Sequence, residues 1–235
     1  MKAIICAAGR GSRLAHLTEE YPKMLLSVGE KRVIEHILEA LIASGITKAV
    51  VVVGYKKEAV ISHLGSKYKG CFITYVENDD FDVSDNLYSM WLAREHITDG
   101  MLFLNGDTIF HADILKNFLT SASENAVVVD RVNTEDHPVL AHIQNETIVE
   151  IGHDIEKTSH GNVFGIYKLS QSASERYFSV AEEVFINGPK RGGFFMPLNT
   201  LATEFEIKPF FSNDSRWVNI NTEHDYEKAK NIIWD

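Results

Sequence analysis

The sequence predicts an α/β fold built on a doubly wound, mostly parallel sheet, with a small β-rich lobe attached. Three observations predict it. Runs of strand length, apolar at 3–7, β-branched at 48–53 and strand-like at 71–76, alternate with segments of helical period. The run at 48–53 is continuous rather than alternating, as in a strand buried on both faces. A glycine loop follows the first run, and sheets of this kind bind ligands outside the carboxyl ends of their strands.

The first run breaks into Gly9-Arg10-Gly11-Ser12-Arg13, and a further cation, Lys23, follows. Gly9 and Gly11 lack Cβ, can adopt positive φ, and let backbone N–H groups converge on an anion. Arg10, Arg13 and Lys23 supply countercharge for a polyphosphate. The loop lacks the third glycine of the dinucleotide fingerprint and has no Walker spacing, so its chemistry alone leaves a solvated turn open.

Val33, Ile34, Ile37, Leu38, Leu41 and Ile42 share a helical face, and Gly45 ends that helix. A strand over 48–53, a turn at Gly54-Tyr55, a short helix through Leu64 and a strand over 71–76 come next. Asp85-Asn86 precedes a helical segment, where a plain N-cap explains the pair equally well. A strand over 101–104 runs into Asn105-Gly106-Asp107-Thr108. Either an Asx turn or a metal-facing aspartate suits that tetrapeptide. A helix over 111–119 and a strand over 126–130 continue the sheet. Residues 139–152 read as a hairpin with Asn145-Glu146 at its tip. A strand over 162–167 follows, then a helix over 171–186 with Tyr177, Val180, Ala181 and Val184 inward. The loop Lys190–Phe195 has no role legible in sequence. Short strands over 207–211 and 217–218 lead to a final helix over 222–233, with Thr222 and Asp225 as an approximate capping box.

The chain has 235 residues, 45% hydrophobic and 24% charged, enough for one well-buried domain spanning 1–235. Its net charge of −10 argues against nucleic acid or an anionic membrane as main partner. A nucleotide site must therefore carry its own cations. Cys6 and Cys71 sit inside apolar runs and read as buried free thiols. The amino terminus has one Lys and then too short an apolar run for a signal peptide, and no run approaches a membrane span, so the expectation is a cytoplasmic protein. A homo-oligomer is left open. No repeat, zinc spacing or nucleophile elbow is visible.

The longer pattern K-A-I-I-x-A-A-G-x-G-S-R-L, followed by Pro22-Lys23-Met24-Leu25, resembles the signature of the nucleotidyltransferases that activate sugar phosphates and phosphocholine. The resemblance implies a Rossmann-like fold. It implies a nucleotide-binding core over 1–131, an acceptor-binding lobe over about 132–212, and a returning strand and helix over 213–235. The segment Asn86-Leu87-Tyr88-Ser89-Met90-Trp91-Leu92-Ala93 resembles that of phosphocholine-type cytidylyltransferases. By that likeness Asn86 contacts nucleotide or acceptor, and Tyr88 and Ser89 lie beside the acceptor. Asp107 matches the family's first magnesium ligand. Glu156-Lys157 is similar to an E-K-P element whose lysine holds the acceptor phosphate, with Thr158 in place of the proline. Asn221 stands where the family often carries the second metal-binding aspartate, and Asn219 where others carry an acid.

The implied reaction is attack by an acceptor phosphate oxygen on the α-phosphorus of CTP, releasing pyrophosphate. Positioning and charge screening are what it requires. Ala8, Gly9, Arg10, Gly11 and Ser12 would bind the nucleotide, Arg13, Lys23 and Asp107 would be catalytic, and Asp107 with Asn221 would hold Mg²⁺. The acceptor would be phosphocholine, phosphoethanolamine, an aminoalkylphosphonate or a phosphorylated amino acid. Tyr88, Trp91, Phe194 and Phe195 are either a cage for a quaternary ammonium or ordinary core. A sugar-1-phosphate nucleotidylyltransferase is the alternative, and a non-catalytic nucleotide-binding regulator the alternative of another class.

Overall fold

The computed structural model describes residues 1–14, 16–131, 138–153, 155 and 160–234. From the amino terminus the chain forms β1 (Lys2–Ala7), the single turn α1 (Leu17–Glu20), and a two-stranded ribbon of β2 (Ser27–Val28) and β3 (Lys31–Arg32). Next come α2 (Val33–Ala43), β4 (Lys48–Val53), α3 (Lys57–Leu64), β5 (Lys67–Tyr68) and β6 (Cys71–Glu77). Then follow α4 (Asn86–Leu92), β7 (Met101–Asn105), β8 (Thr108–Phe110), α5 (Ala112–Thr120) and β9 (Ala126–Asp130). The remainder comprises β10 (Leu140–Gln144), β11 (Thr147–Gly152), β12 (Gly161–Leu169), α6 (Gln171–Asn187), α7 (Phe195–Leu201), β13 (Lys208–Phe211), β14 (Trp217–Asn219) and α8 (Glu223–Lys230).

The main sheet has the order β11-β10-β12-β7-β1-β4-β6-β5, with β9 joined to β12 and β13 to β9. Its centre, β7-β1-β4-β6, is parallel. Alternate residues of β1 enter opposite cores, because side chains of a strand alternate between faces. Ala3, Ile5 and Ala7 pack with α2, α3, α5 and α8, whereas Ile4 and Cys6 pack with α4, α6 and α7. Helices thus cover both faces, and the doubly wound, Rossmann-like reading stands. The runs of β1 and β4 are unbroken for this reason, since neither face of these strands meets water, whereas β6 buries Cys71 and Ile73 and exposes Phe72.

The hairpin β10–β11 turns at Asn145 and Glu146, with φ of 49° and 60°. Positive φ at both central residues is what a two-residue type I′ loop demands. This hairpin continues the main sheet, since β10 pairs with β12, rather than forming a separate layer. Six elements were not foreseen: α1, the ribbon strands β2 and β3, β5, β8 and α7. Strand β8 is three residues long and pairs antiparallel with β14, far away in sequence, so no local pattern announces it. The last helix stops at Lys230 instead of Ile233, because the chain folds back and Trp234 Nε1 donates to the carbonyl of Ala229 at 2.9 Å. Among the described residues, no helix is long and apolar enough to cross a membrane.

Candidate active site

The loop leaving β1 closes through a single 3₁₀ turn, Ser12–Leu14, with Leu14 N–H donating to the carbonyl of Gly11 at 2.9 Å. Gly11 has φ +70°, in the left-handed region, whereas Gly9 does not take positive φ. Only the second glycine is therefore required by backbone conformation. A Cβ on Gly11 would also lie 3.2 Å from Lys23 Cβ, so the loop rests directly on the lysine stem. Pro22 starts the short turn Lys23–Leu25 that presents this lysine, which is 7% exposed.

Asp107 arrives from the end of β7. Gly106 N–H donates to the carbonyl of Cys6 at 3.1 Å, and a Cβ on Gly106 would sit 2.0 Å from that oxygen. No side chain fits there, so the glycine brings the chain against β1 and delivers Asp107 beside the loop. Asn221 arrives from the other end of the sequence. Ile220 N–H donates to the Asp107 carbonyl at 2.8 Å, and Asn221 N–H donates to Asp225 Oδ2 at 3.0 Å. Thr222 and Asp225 cap α8 reciprocally, as their spacing predicted.

These three strangers in sequence meet. Lys23 Nζ lies 2.9 Å from Asp107 Oδ2 and 3.1 Å from Asn221 Oδ1. They line one cavity of about 220 Å³, together with Gly9, Gly11, Ser12, Arg13 and Asn86. The cavity opens at the carboxyl ends of β1 and β7, where the sheet topology places ligands. Cys6, Ala7 and Met24 also line it and were missed in sequence. Burial, and then the negative charges of Asp107 and Asp85, push the Cys6 thiol up, so it is a neutral wall and not a nucleophile.

Other named residues lie elsewhere. Ala8 is 4% exposed and lies behind the loop, its carbonyl accepting from Tyr55 N–H at 3.0 Å. Arg10 turns away, with its guanidinium 5.4 Å from the centre of the Tyr55 ring. Ser89 is 2% exposed and accepts a hydrogen bond from Asn78 Nδ2, so it braces the β6–α4 connection and does not line the cavity. Tyr88 is likewise buried, stacked on Trp91 with Phe185 at its edge. Phe194 belongs to the core, stacked on Phe103 and Tyr167, and Phe195 meets Phe194 edge-on. The four aromatics do not form one cage; apolar packing claimed Phe194. Lys157 lies outside the described residues.

The loop Lys190–Phe195 does acquire a job. Lys190 Nζ donates to Asp80 Oδ2, Arg191 Nε to the Val83 carbonyl, and Gly192 N–H to Asp85 Oδ2. It clips down the segment that leads into α4. Asp85 also caps α4 by accepting from Leu87 N–H at 3.1 Å. The cap reading of Asp85 holds, and Asn86, the first residue of that helix, lines the cavity.

The donors fit a magnesium ion of one kind only. Among the described residues, the buried Asp107 Oδ1 has no hydrogen-bond partner, an oxygen left for a cation. One carboxylate and one amide oxygen are a poor cage but suit Mg²⁺, which keeps waters and takes substrate phosphates as ligands. Among the described residues, no group of three or more His, Cys, Asp or Glu is arranged to hold a metal unaided. The ion and the phosphates would bind together.

The MobA-like NTP transferase domain matches residues 3–163. The chain is 34% identical over 139 residues to a UTP–glucose-1-phosphate uridylyltransferase of Haloferax volcanii, covering 58% of this chain and 56% of that protein. It is 36% identical over 123 residues to choline-phosphate cytidylyltransferase of Streptococcus pneumoniae, covering 52% of each. The chain thus aligns with about half the length of these curated relatives. A solved CTP:phosphocholine cytidylyltransferase from Streptococcus pneumoniae superimposes with a TM-score of 0.82, at 24% identity, over 97% of both chains, a likeness of fold.

Proposed function

The chain belongs to the MobA-like NTP transferase domain family, and on that premise we propose that it transfers CMP from CTP to a small phosphorylated acceptor. A phosphate oxygen of the acceptor bonds to the α-phosphorus. The bond from that phosphorus to the bridging oxygen breaks, and its electron pair leaves with pyrophosphate. A phosphate monoester is already an anion near pH 7, so no general base is needed. The obstacle is repulsion between two anions on a protein of net charge −10.

The observation that carries this reading is Lys23 Nζ, held by Asp107 and Asn221 on the wall of the cavity beneath Gly11–Arg13. Fixed between two oxygens, the ammonium costs no reorganisation when charge grows on the leaving group. Arg13 offers a second, exposed cation at the cavity mouth. The N–H groups of Gly9, Gly11 and Ser12 bind phosphate oxygens, and Asn86 contacts nucleotide or acceptor. Asp107 and Asn221 hold Mg²⁺, which when bound neutralises phosphate charge. Lys157 orients the acceptor phosphate.

Cytidylyl transfer is supported by the segment Asn86–Ala93 and by the choline-phosphate cytidylyltransferase relative. Phosphocholine, phosphoethanolamine, aminoalkylphosphonates and phosphorylated amino acids are the acceptors proposed. A second reading, transfer to a sugar 1-phosphate, is favoured by the uridylyltransferase relative. Pyrophosphate release across a panel of NTPs and acceptors decides. The expected result is turnover with CTP and an aminoalkyl phosphate or phosphonate. Preference for UTP with a sugar 1-phosphate establishes the second reading, and tight CTP binding without any turnover makes the chain a regulator.

A further inference from the structure

We propose that Asn105 is a positioning residue. Through Asn86 it holds a hydrogen-bond acceptor at the cavity wall, and this acceptor reads a hydroxyl or amine of the substrate rather than its phosphates. The inference rests on the proposed nucleotidyl transfer and narrows what Asn86 does in it.

Asn105 ends β7 and is 8% exposed. The pairing of β12 with β9 shifts register between Val163 and Tyr167, and Gly165, inside that bulge, has φ +76°. A Cβ on Gly165 would come 2.3 Å from Asn105 Nδ2, so the bulge opens the space that the Asn105 side chain fills. From there Asn105 Oδ1 accepts from Asn86 Nδ2 at 3.1 Å. The backbone of Asn86 is fixed as well: Asp85 caps its helix, and Cys6 Sγ donates to its carbonyl at 3.7 Å.

Asn86 lines the cavity, and among the described residues nothing donates to its Oδ1. An amide oxygen only accepts. Phosphate oxygens of a nucleotide also accept, and carry almost no proton to give near neutral pH. Arg13 and Lys23 on the same cavity already answer them. Among the groups a substrate brings, the one that Oδ1 takes carries hydrogen on oxygen or nitrogen. A ribose hydroxyl, an exocyclic amine and a primary ammonium qualify. A quaternary ammonium does not.

The test uses the full chain and the variants Asn105→Ala, Asn105→Asp, Asn86→Ala and the double alanine. Binding of CTP, of a deoxy-CTP and of each acceptor is titrated separately, and KM and kcat are measured in turnover. Asn105→Ala should weaken one substrate about tenfold, the worth of one hydrogen bond, with kcat changed much less. Asn105→Asp keeps the accepting oxygen and should restore affinity. The double variant should match Asn86→Ala alone, because Asn105 acts only through Asn86. Loss of discrimination against deoxy-CTP in Asn86→Ala identifies ribose as the source. Loss of preference for phosphoethanolamine over phosphocholine identifies the acceptor's ammonium. Normal affinities in Asn105→Ala, additive effects in the double variant, or failure of the aspartate to rescue overturn the proposal. Absence of turnover in the wild type would overturn the proposed function instead, while the binding titrations still decide this one.

Discussion

The ammonium of Lys23 joins two oxygens, on Asp107 and Asn221, from residues that stand 84 and 198 positions away in the chain. Lys23→Ala therefore removes a preorganised cation and leaves Asp107 without its ion pair. We expect transfer to fall by about a hundredfold or more, the usual cost of losing such a group in a water-poor site. Circular dichroism should find the fold intact. Near-normal turnover would remove Lys23 from the chemistry.

Asn221 contributes an amide where a carboxylate would bring charge. Asn221→Asp should tighten divalent-cation binding in the presence of CTP by roughly tenfold, since affinity at such sites follows ligand charge. Titration of Mn²⁺ by electron paramagnetic resonance reads this directly. Unchanged Mn²⁺ affinity would mean that Asn221 only braces Lys23.

Gly106 is a steric requirement. In Gly106→Ala the new methyl group meets the Cys6 carbonyl oxygen, which is backbone and cannot swing aside. A loss of about 3 kcal/mol is expected, roughly 6–12 °C in Tm for a chain of this size. A melting temperature within 2 °C of the parent, roughly the noise of the measurement, would show that the end of β1 yields more easily than its pairing implies.

Glu39 offers a pH signature away from the site. Burial alone would raise its carboxyl, but hydrogen bonds from Lys69 and Lys31 and from the Tyr68 hydroxyl outweigh that and hold it at about 2. Its folded value lies below the unfolded one, so its contribution is present above about pH 4.5 and is lost as pH falls towards 2. Glu39→Gln should cost about 1 kcal/mol at pH 7, discounted because Lys69 is largely exposed. The melting temperatures of variant and parent should converge near pH 2. A gap that stays constant across that range would assign the loss to packing instead.

The sheet was legible because continuous apolar runs and Gly45, Asn145 and Glu146 carry short-range rules that tertiary context did not override. Gly11, Lys23, Asp107 and Asn221 were legible through their family pattern and do share a cavity. Strand β8 was not, since among the described residues it pairs only with the distant β14. Nor was Asn105, whose importance rests on a bulge in β12 that nothing near Asn105 encodes.

By itself the sequence determined which strands are buried on both faces, where the anion loop leaves the sheet, and that its cations must be local on an acidic chain. Only the tertiary structure decided which polar side chains face the cavity. Arg10 is drawn off by the Tyr55 ring, Ser89 is spent on Asn78, and Phe194 is absorbed into the core. Periodicity and turn chemistry act over a few residues, whereas the direction of a side chain is settled by the nearest partner that packing brings, however distant along the chain.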